Sequence, residues 1–135
     1  MKKLIIAAAL CLIGSLSHAQ TLIAADFAGQ IGATRTLANT TADTINLQIT
    51  KARPQIMFKY DITKNSGTVG GTIVLQGRVK TTDSWATLNS YTLTDATATN
   101  SVILTANNYV YYRVITAPTG TQNSTHSKYL VSRTY

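Results

Sequence analysis

The chain has 135 residues, with 12 lysines and arginines against five aspartates and no glutamate, for a formal net charge of +7. Its single cysteine, Cys11, lies in an N-terminal apolar run, so the rest of the chain has no disulfides, thiolate nucleophiles or cysteine metal sites. The cations are scattered, whereas nucleic-acid-binding proteins usually cluster them on one face, so we expect no nucleic-acid partner.

The first nineteen residues have the pattern of a secretory signal peptide, residues 1–19. Two lysines precede an unbroken apolar run, and Ser17 and Ala19 occupy the small-residue positions of a signal peptidase site. Cleavage before Gln20 would release residues 20–135 to the periplasm, the cell surface, the extracellular space or a virion. The alternative is an uncleaved membrane anchor, although a spanning helix needs about 20 apolar residues.

Residues 20–43 are small, apolar and weakly patterned, with Leu22, Ile23 and Phe27 as the larger side chains. We expect either a first edge strand of the domain or an N-terminal arm that docks on another molecule. An exposed apolar edge is a template for pairing with a second chain, so the arm predicts self-association or a protein partner. Sequential strands usually pair within one domain, which favours the edge strand.

Period-two alternation begins at residue 44, where Ile45, Leu47 and Ile49 alternate with polar residues. Pro54 interrupts this pattern, because proline does not fit an interior ladder position. Alternation resumes over residues 56–62 and predicts a second strand with one apolar face.

The sequence TIVLQGRVK predicts a further strand, with Ile73 and Leu75 on one face and Arg78 on the other. TTDS then turns the chain, and a return strand begins near Trp85. In the return strand Leu88 and Tyr91 are three residues apart, so regular alternation would place them on opposite faces of the sheet. This predicts a bulge near residues 89–90.

The segment YVYYRVI, residues 109–115, is apolar or aromatic on both faces and predicts a central strand covered on both sides. With shorter strands at residues 101–105 and 129–132, the chain has about seven strands and no helical period outside the leader. Twenty-three threonines and no glutamate also favour strands. We therefore expect an all-β fold, a single antiparallel β-sandwich of about seven strands preceded by an N-terminal signal helix. Within the YVYYRVI strand, Tyr109, Tyr111 and Arg113 are expected on one face, and Val110, Tyr112 and Val114 on the core face.

The runs SGTVGGTIVLQGRVKTTDSWATL, YVYYRV and TGTQNST carry a family resemblance over Ser66 to Thr125. This part of the chain resembles β-sandwich modules of exported and phage virion proteins of Bacteroidota-type bacteria. The resemblance implies a sandwich fold and a non-catalytic, structural or adhesive role, and it implies no active site.

The catalytic candidates in the sequence are weak. His126 is the one histidine beyond the leader, and a triad could pair it with Ser124 or Ser127 and an aspartate, but no nucleophile-elbow motif is present. We expect His126 to face solvent. Asp83 and Asp95 lie in turns, where aspartate caps its own backbone. No metal or cofactor is expected, and the predicted protein is not an enzyme.

Exposed aromatic side chains are the remaining candidates for binding. Trp85 is interpreted as a core anchor that packs one sheet on the other, as in immunoglobulin-like sandwiches. The alternative is a carbohydrate-binding module in which Tyr111, Arg113 and Trp85 contact a surface glycan. The favoured function is a non-enzymatic structural or adhesive module. The other tyrosines considered for stacking on sugars are Tyr91, Tyr109, Tyr112 and Tyr129.

Overall fold

The structure is a computed structural model that describes residues 22–25, 30–49, 55–105 and 108–132. Every regular element in these ranges is a strand, and none of them contains a helix that is long and apolar enough to cross a membrane. The signal-peptide prediction lies outside the described residues. In chain order the strands are β1 (Leu22–Ala25), β2 (Gln30–Ala38), β3 (Asp43–Ile49), β4 (Gln55–Ser66), β5 (Gly71–Arg78), β6 (Ala86–Leu93), β7 (Ala98–Thr105), β8 (Tyr111–Pro118) and β9 (Asn123–Ser132).

The strands form two sheets. The five-stranded sheet has the order β1-β3-β8-β5-β6, and the four-stranded sheet has the order β2-β9-β4-β7. All pairings are antiparallel except that of β1 with β3, which is parallel. The all-β sandwich prediction is therefore confirmed, with nine strands in the described ranges rather than about seven.

The additional strands are β1 and β2, which fall in the segment predicted to be an arm or an edge strand. β2 pairs with β9 over nine residues, from Gln30 opposite Val131 to Ala38 opposite Asn123. Leu37 is buried in the core with 4% of its surface exposed. β2 thus pairs along its whole length with β9 and lies at the edge of the four-stranded sheet.

The core lies between the two sheets and follows the predicted alternation. Every second residue of β3, from Asp43 to Ile49, is buried, and β4 and β5 alternate in the same way. The buried apolar side chains come from both sheets, so each strand contributes one face to a shared interior. The fully buried large apolar side chains are Ile45, Leu47, Ile56, Phe58, Tyr60, Ile62, Ile73, Leu75, Tyr112 and Leu130.

β8 is a central strand, as predicted, but it is not covered on both sides. Tyr112 and Val114 are fully buried on the core face, whereas Tyr111 and Arg113 are half-buried on the outer face. Tyr109 precedes the strand and departs from the expected alternation. Its ring contacts the core, 6.4 Å edge-on from Tyr112, and lies over Gly77, where a Cβ atom would come within 2.8 Å of the ring.

The connection from β5 to β6 carries the only tryptophan of the chain. The Asp83 carboxylate accepts a 2.8 Å hydrogen bond from the Lys80 amide, and the Asp83 amide donates to the Lys80 carbonyl at 3.1 Å. This turn chemistry is the one that the TTDS sequence predicts. In β6 the register shifts so that Leu88 is the extra residue of a bulge, one position from the predicted site.

The inner face of β9 is polar over most of its length. Ser124, His126 and Lys128 are each fully buried. Lys128 Nζ donates to Asp43 Oδ2 at 2.8 Å, and the second carboxylate oxygen accepts from Arg35 Nη1 at 3.1 Å. An isolated buried charge is strongly unfavourable. Here the negative charge of Asp43 in β3 compensates the positive charges of Lys128 in β9 and Arg35 in β2, across the two sheets.

Candidate functional site

The candidate site is on the outer face of the five-stranded sheet, where β5 and β8 run side by side. Their register sets Gln76 opposite Arg113 and Arg78 opposite Tyr111. Outward side chains on a diagonal of two neighbouring strands are within reach of each other when they are long. Local alternation places each arginine on the outer face, and strand pairing then makes them neighbours.

Trp85 lies against both arginines. The guanidinium carbon of Arg78 is 4.3 Å from the centroid of the indole ring, and that of Arg113 is 4.6 Å from it. Arg78 also lies 5.6 Å from the ring centroid of Tyr111. Guanidinium groups at these distances make favourable cation–π contacts with aromatic faces. The four side chains form one cluster, which we call the arginine–aromatic cleft.

The interpretation of Trp85 as a core anchor is wrong. Trp85 is half-buried, follows the β5–β6 turn, and is not part of the apolar core between the sheets. The turn places Trp85 over the outer face of the five-stranded sheet. Its packing partners are therefore arginine side chains and not residues of the opposite sheet. Both sheets meet without it, because tyrosine, phenylalanine and branched aliphatic side chains already fill the interior.

The cleft borders a partly open cavity of about 290 Å³. Its wall combines guanidinium, indole and phenol groups with an amide and a hydroxyl, so it presents both aromatic and polar surface. A volume of this size is at the lower end of the usual range for small-molecule sites. The lining residues are Asn46, Leu47, Arg78, Thr81, Trp85, Tyr111, Tyr112 and Arg113.

Hydrogen bonds hold the two guanidinium groups in place. Arg78 Nη1 donates to the Thr81 carbonyl oxygen at 2.6 Å, and Arg113 Nε donates to Gln76 Oε1 at 2.6 Å. The Nε atom of Arg78 is buried and has no hydrogen-bond partner among the residues that the structure describes. Burial, followed by the nearby charge of Arg78, lowers the pKa of Arg113. The cleft is thus a fixed and strongly cationic surface.

The structure brings together all three site residues predicted from the sequence, Tyr111, Arg113 and Trp85. Arg78 was not predicted as a site residue, although its position on the outer face was. The sequence does not show the register of β5 against β8, which places Arg78 near Arg113. The other tyrosines lie elsewhere. Tyr112 is in the core, Tyr91 and Tyr109 pack against the core, and Tyr129 contacts Thr34 on the four-stranded sheet.

The expectation that His126 faces solvent is wrong. His126 is fully buried, and its Nε2 atom lies 2.8 Å from the Ser124 hydroxyl oxygen. Ser124 is also fully buried, so an approaching substrate cannot reach its hydroxyl. Within the described part of the chain the Nδ1 atom of His126 has no hydrogen-bond partner, so no described residue orients the ring as the third group of a triad does. Within the described ranges, no group of three histidine, cysteine or acidic residues is placed to hold a metal ion.

His126 gives the domain a pH dependence. Burial first, and then the charge of Lys128, lowers the pKa of His126 to about 4, against a value of about 6.5 in an unfolded chain. Between about pH 6.5 and 4 the unfolded chain therefore binds a proton that the folded chain does not. The free energy of unfolding decreases as the pH is lowered through this range. The variant His126→Gln lacks this proton, so its melting temperature should fall less between about pH 7 and 4.5. If the melting temperature decreases equally in the unaltered protein and in His126→Gln, His126 is not the source of the pH dependence.

Comparisons with known proteins found similar solved structures but no matching family. No protein-family model matches the chain, and no curated protein matches it. Among solved structures, the fold is similar to a chain described in work on Bacillus endospore appendages, a family of disulfide-linked pili. The TM-score is 0.38 at 9% identity, and the match covers 82% of this chain and 95% of the other.

Proposed function

We propose that this protein is an exported, non-enzymatic adhesive module of a bacterial envelope, a secreted assembly or a virion. The arginine–aromatic cleft is its contact site for a surface glycan. One observation carries this proposal: Arg78 of β5, Trp85 of the β5–β6 connection, and Tyr111 and Arg113 of β8 meet around one cavity on the outer sheet face.

Several features of the cleft support binding rather than a purely structural role. Trp85 is not part of the apolar core, so its position over two arginines does not serve to pack one sheet on the other. The two neighbouring positive charges repel each other, and an oppositely charged ligand would offset that repulsion. By contrast, the side chains with catalytic potential, Ser124 and His126, are sealed inside the sandwich. An adhesive role uses the surface that the fold leaves open.

The variant Trp85→Ala separates binding from folding. It should cost only about 1–2 kcal/mol of stability, because it removes two cation–π contacts of about 0.5–1 kcal/mol each. Retention on an array of bacterial surface polysaccharides should be lost. Tyr129→Ala, a change of aromatic residue on the outer face of the other sheet, is the matched control and should bind as the unaltered protein does. Failure of the unaltered protein to bind any polysaccharide, or full binding by Trp85→Ala, would refute the proposal.

A further inference from the structure

The two arginines of the cleft have no acidic partner in the described part of the chain. Each of the four aspartates there is engaged elsewhere. Asp43 pairs with Arg35 and Lys128, Asp61 with Lys59 and Asp95 with Lys64, and the Asp83 carboxylate accepts a bond from a backbone amide in its own turn.

The aromatic rings of the cleft orient the two guanidinium groups, and this orientation determines which ligand groups they can bind. Arg78 and Arg113 lie against the face of Trp85, and Arg78 also approaches Tyr111. A guanidinium group that lies on a ring directs its N–H edges away from the ring centre. Those edges have the fork geometry that matches a carboxylate with two parallel hydrogen bonds. Aromatic contact also immobilises the side chains in advance, which reduces the entropy lost on binding.

The guanidinium donors are only partly used by the protein. Each arginine has five N–H donors, whereas among the described residues Arg78 and Arg113 each donate one hydrogen bond to a protein acceptor, in Thr81 and Gln76. The buried Nε of Arg78 is unpartnered. Because Nε is buried, a ligand would be bound through the remaining N–H donors of the two guanidinium groups.

We propose that the ligand of the cleft is an acidic polysaccharide, bound through the carboxylate of a uronic-acid unit between Arg78 and Arg113. This inference rests on the proposed function and names its ligand class. The cavity of about 290 Å³ holds one sugar unit, and the lining residues Asn46 and Thr81 carry the amide and hydroxyl groups that suit ring hydroxyls. A carboxylate between the arginines offsets their mutual repulsion, which a neutral sugar cannot do.

Trp85 makes the binding measurable. It is the only tryptophan of the chain and lies within the cleft, so its fluorescence reports on this site alone. The protein is titrated with an oligogalacturonate and with the same oligomer after its carboxyl groups have been reduced to alcohols. We expect the acidic oligomer to bind and shift the fluorescence, and the reduced oligomer to bind at least about tenfold more weakly, as is typical for loss of a charged hydrogen-bonded pair.

Two variants distinguish a built site from general attraction to a basic protein. Arg113→Gln should weaken binding of the acidic oligomer by about tenfold or more. Lys59→Gln removes the same formal charge from the four-stranded sheet and should change the affinity by less than about twofold, because distant charges are screened. Circular dichroism checks that each variant is folded, and Arg78→Gln replaces Arg113→Gln if the latter is not.

The outcomes separate this inference from the proposed function. Equal binding of the acidic and reduced oligomers would overturn the anionic ligand and leave a glycan-binding module. An equal loss of affinity in Lys59→Gln and Arg113→Gln would also overturn it, because the oligomer would then be bound by the overall positive charge of the protein and not by the cleft. If neither oligomer binds and the polysaccharide array is also negative, both proposals fail.

Discussion

Replacement of Asp43 by asparagine is expected to lower the free energy of unfolding by about 3–5 kcal/mol, because it leaves a buried cation without its partner. Lys128 is fully buried and its ammonium group lies 2.8 Å from the Asp43 carboxylate. Burial lowers the pKa of Lys128, and the hydrogen bond to Asp43 opposes that shift. Without the carboxylate, burial and the charge of Arg35 remain, and both disfavour the protonated lysine. Urea denaturation measures the change.

A surface pair provides the control for this substitution. Lys59 and Asp61 are 3.2 Å apart, with 40% and 31% of their side-chain surfaces exposed, so Asp61→Asn should cost less than about 1 kcal/mol. Lys128→Met should cost less than Asp43→Asn, since the remaining carboxylate keeps its contact with Arg35. A loss in Asp43→Asn no larger than that in Asp61→Asn would show that the buried pair does not contribute to stability.

The second large effect is expected from truncation of Tyr112, on the core face of β8. Tyr112→Ala should cost about 3–5 kcal/mol, as truncation of a buried aromatic side chain typically does. Tyr112 is fully buried, packs edge-on against Tyr109, and donates to the Tyr109 carbonyl at 3.2 Å. The variant therefore loses a core side chain and a hydrogen bond that positions the preceding loop. Denaturant titration with fluorescence detection measures the change.

Tyr111→Ala is the matched control, one residue away in the same strand. Tyr111 is half-buried on the outer face and contacts Arg78, so its loss should cost about 1 kcal/mol, in the range of an exposed cation–π contact. Comparable losses in the two variants would mean that the outer face of β8 is covered as completely as its core face.

The strands of the domain were predictable where they follow period-two alternation. The burial of Ile45, Leu47 and Ile49 and the opposite placement of Tyr111 and Tyr112 needed no tertiary information. In a strand, successive side chains point to opposite faces, so a sequence with regular alternation specifies its own buried face.

The errors arose where burial depends on a distant partner. The inner face of β9 includes Ser124, His126 and Lys128, which read as a polar surface in the sequence. Lys128 is buried because Asp43, 85 residues away in the chain, compensates its charge. Trp85 was assigned to the core because large aromatic side chains are usually buried, but the turn before it places it over the outer sheet face.

By itself, the sequence determined the all-β class and the inward faces of the main strands, and it identified Tyr111, Arg113 and Trp85 as candidate site residues. Only the tertiary structure decided that these residues share one cleft with Arg78, because the register of β5 against β8 and the turn after β5 set their separations. The tertiary structure also decided which polar groups are buried. Alternation is a local property of the backbone, whereas compensation of charge depends on strands that are far apart in the chain.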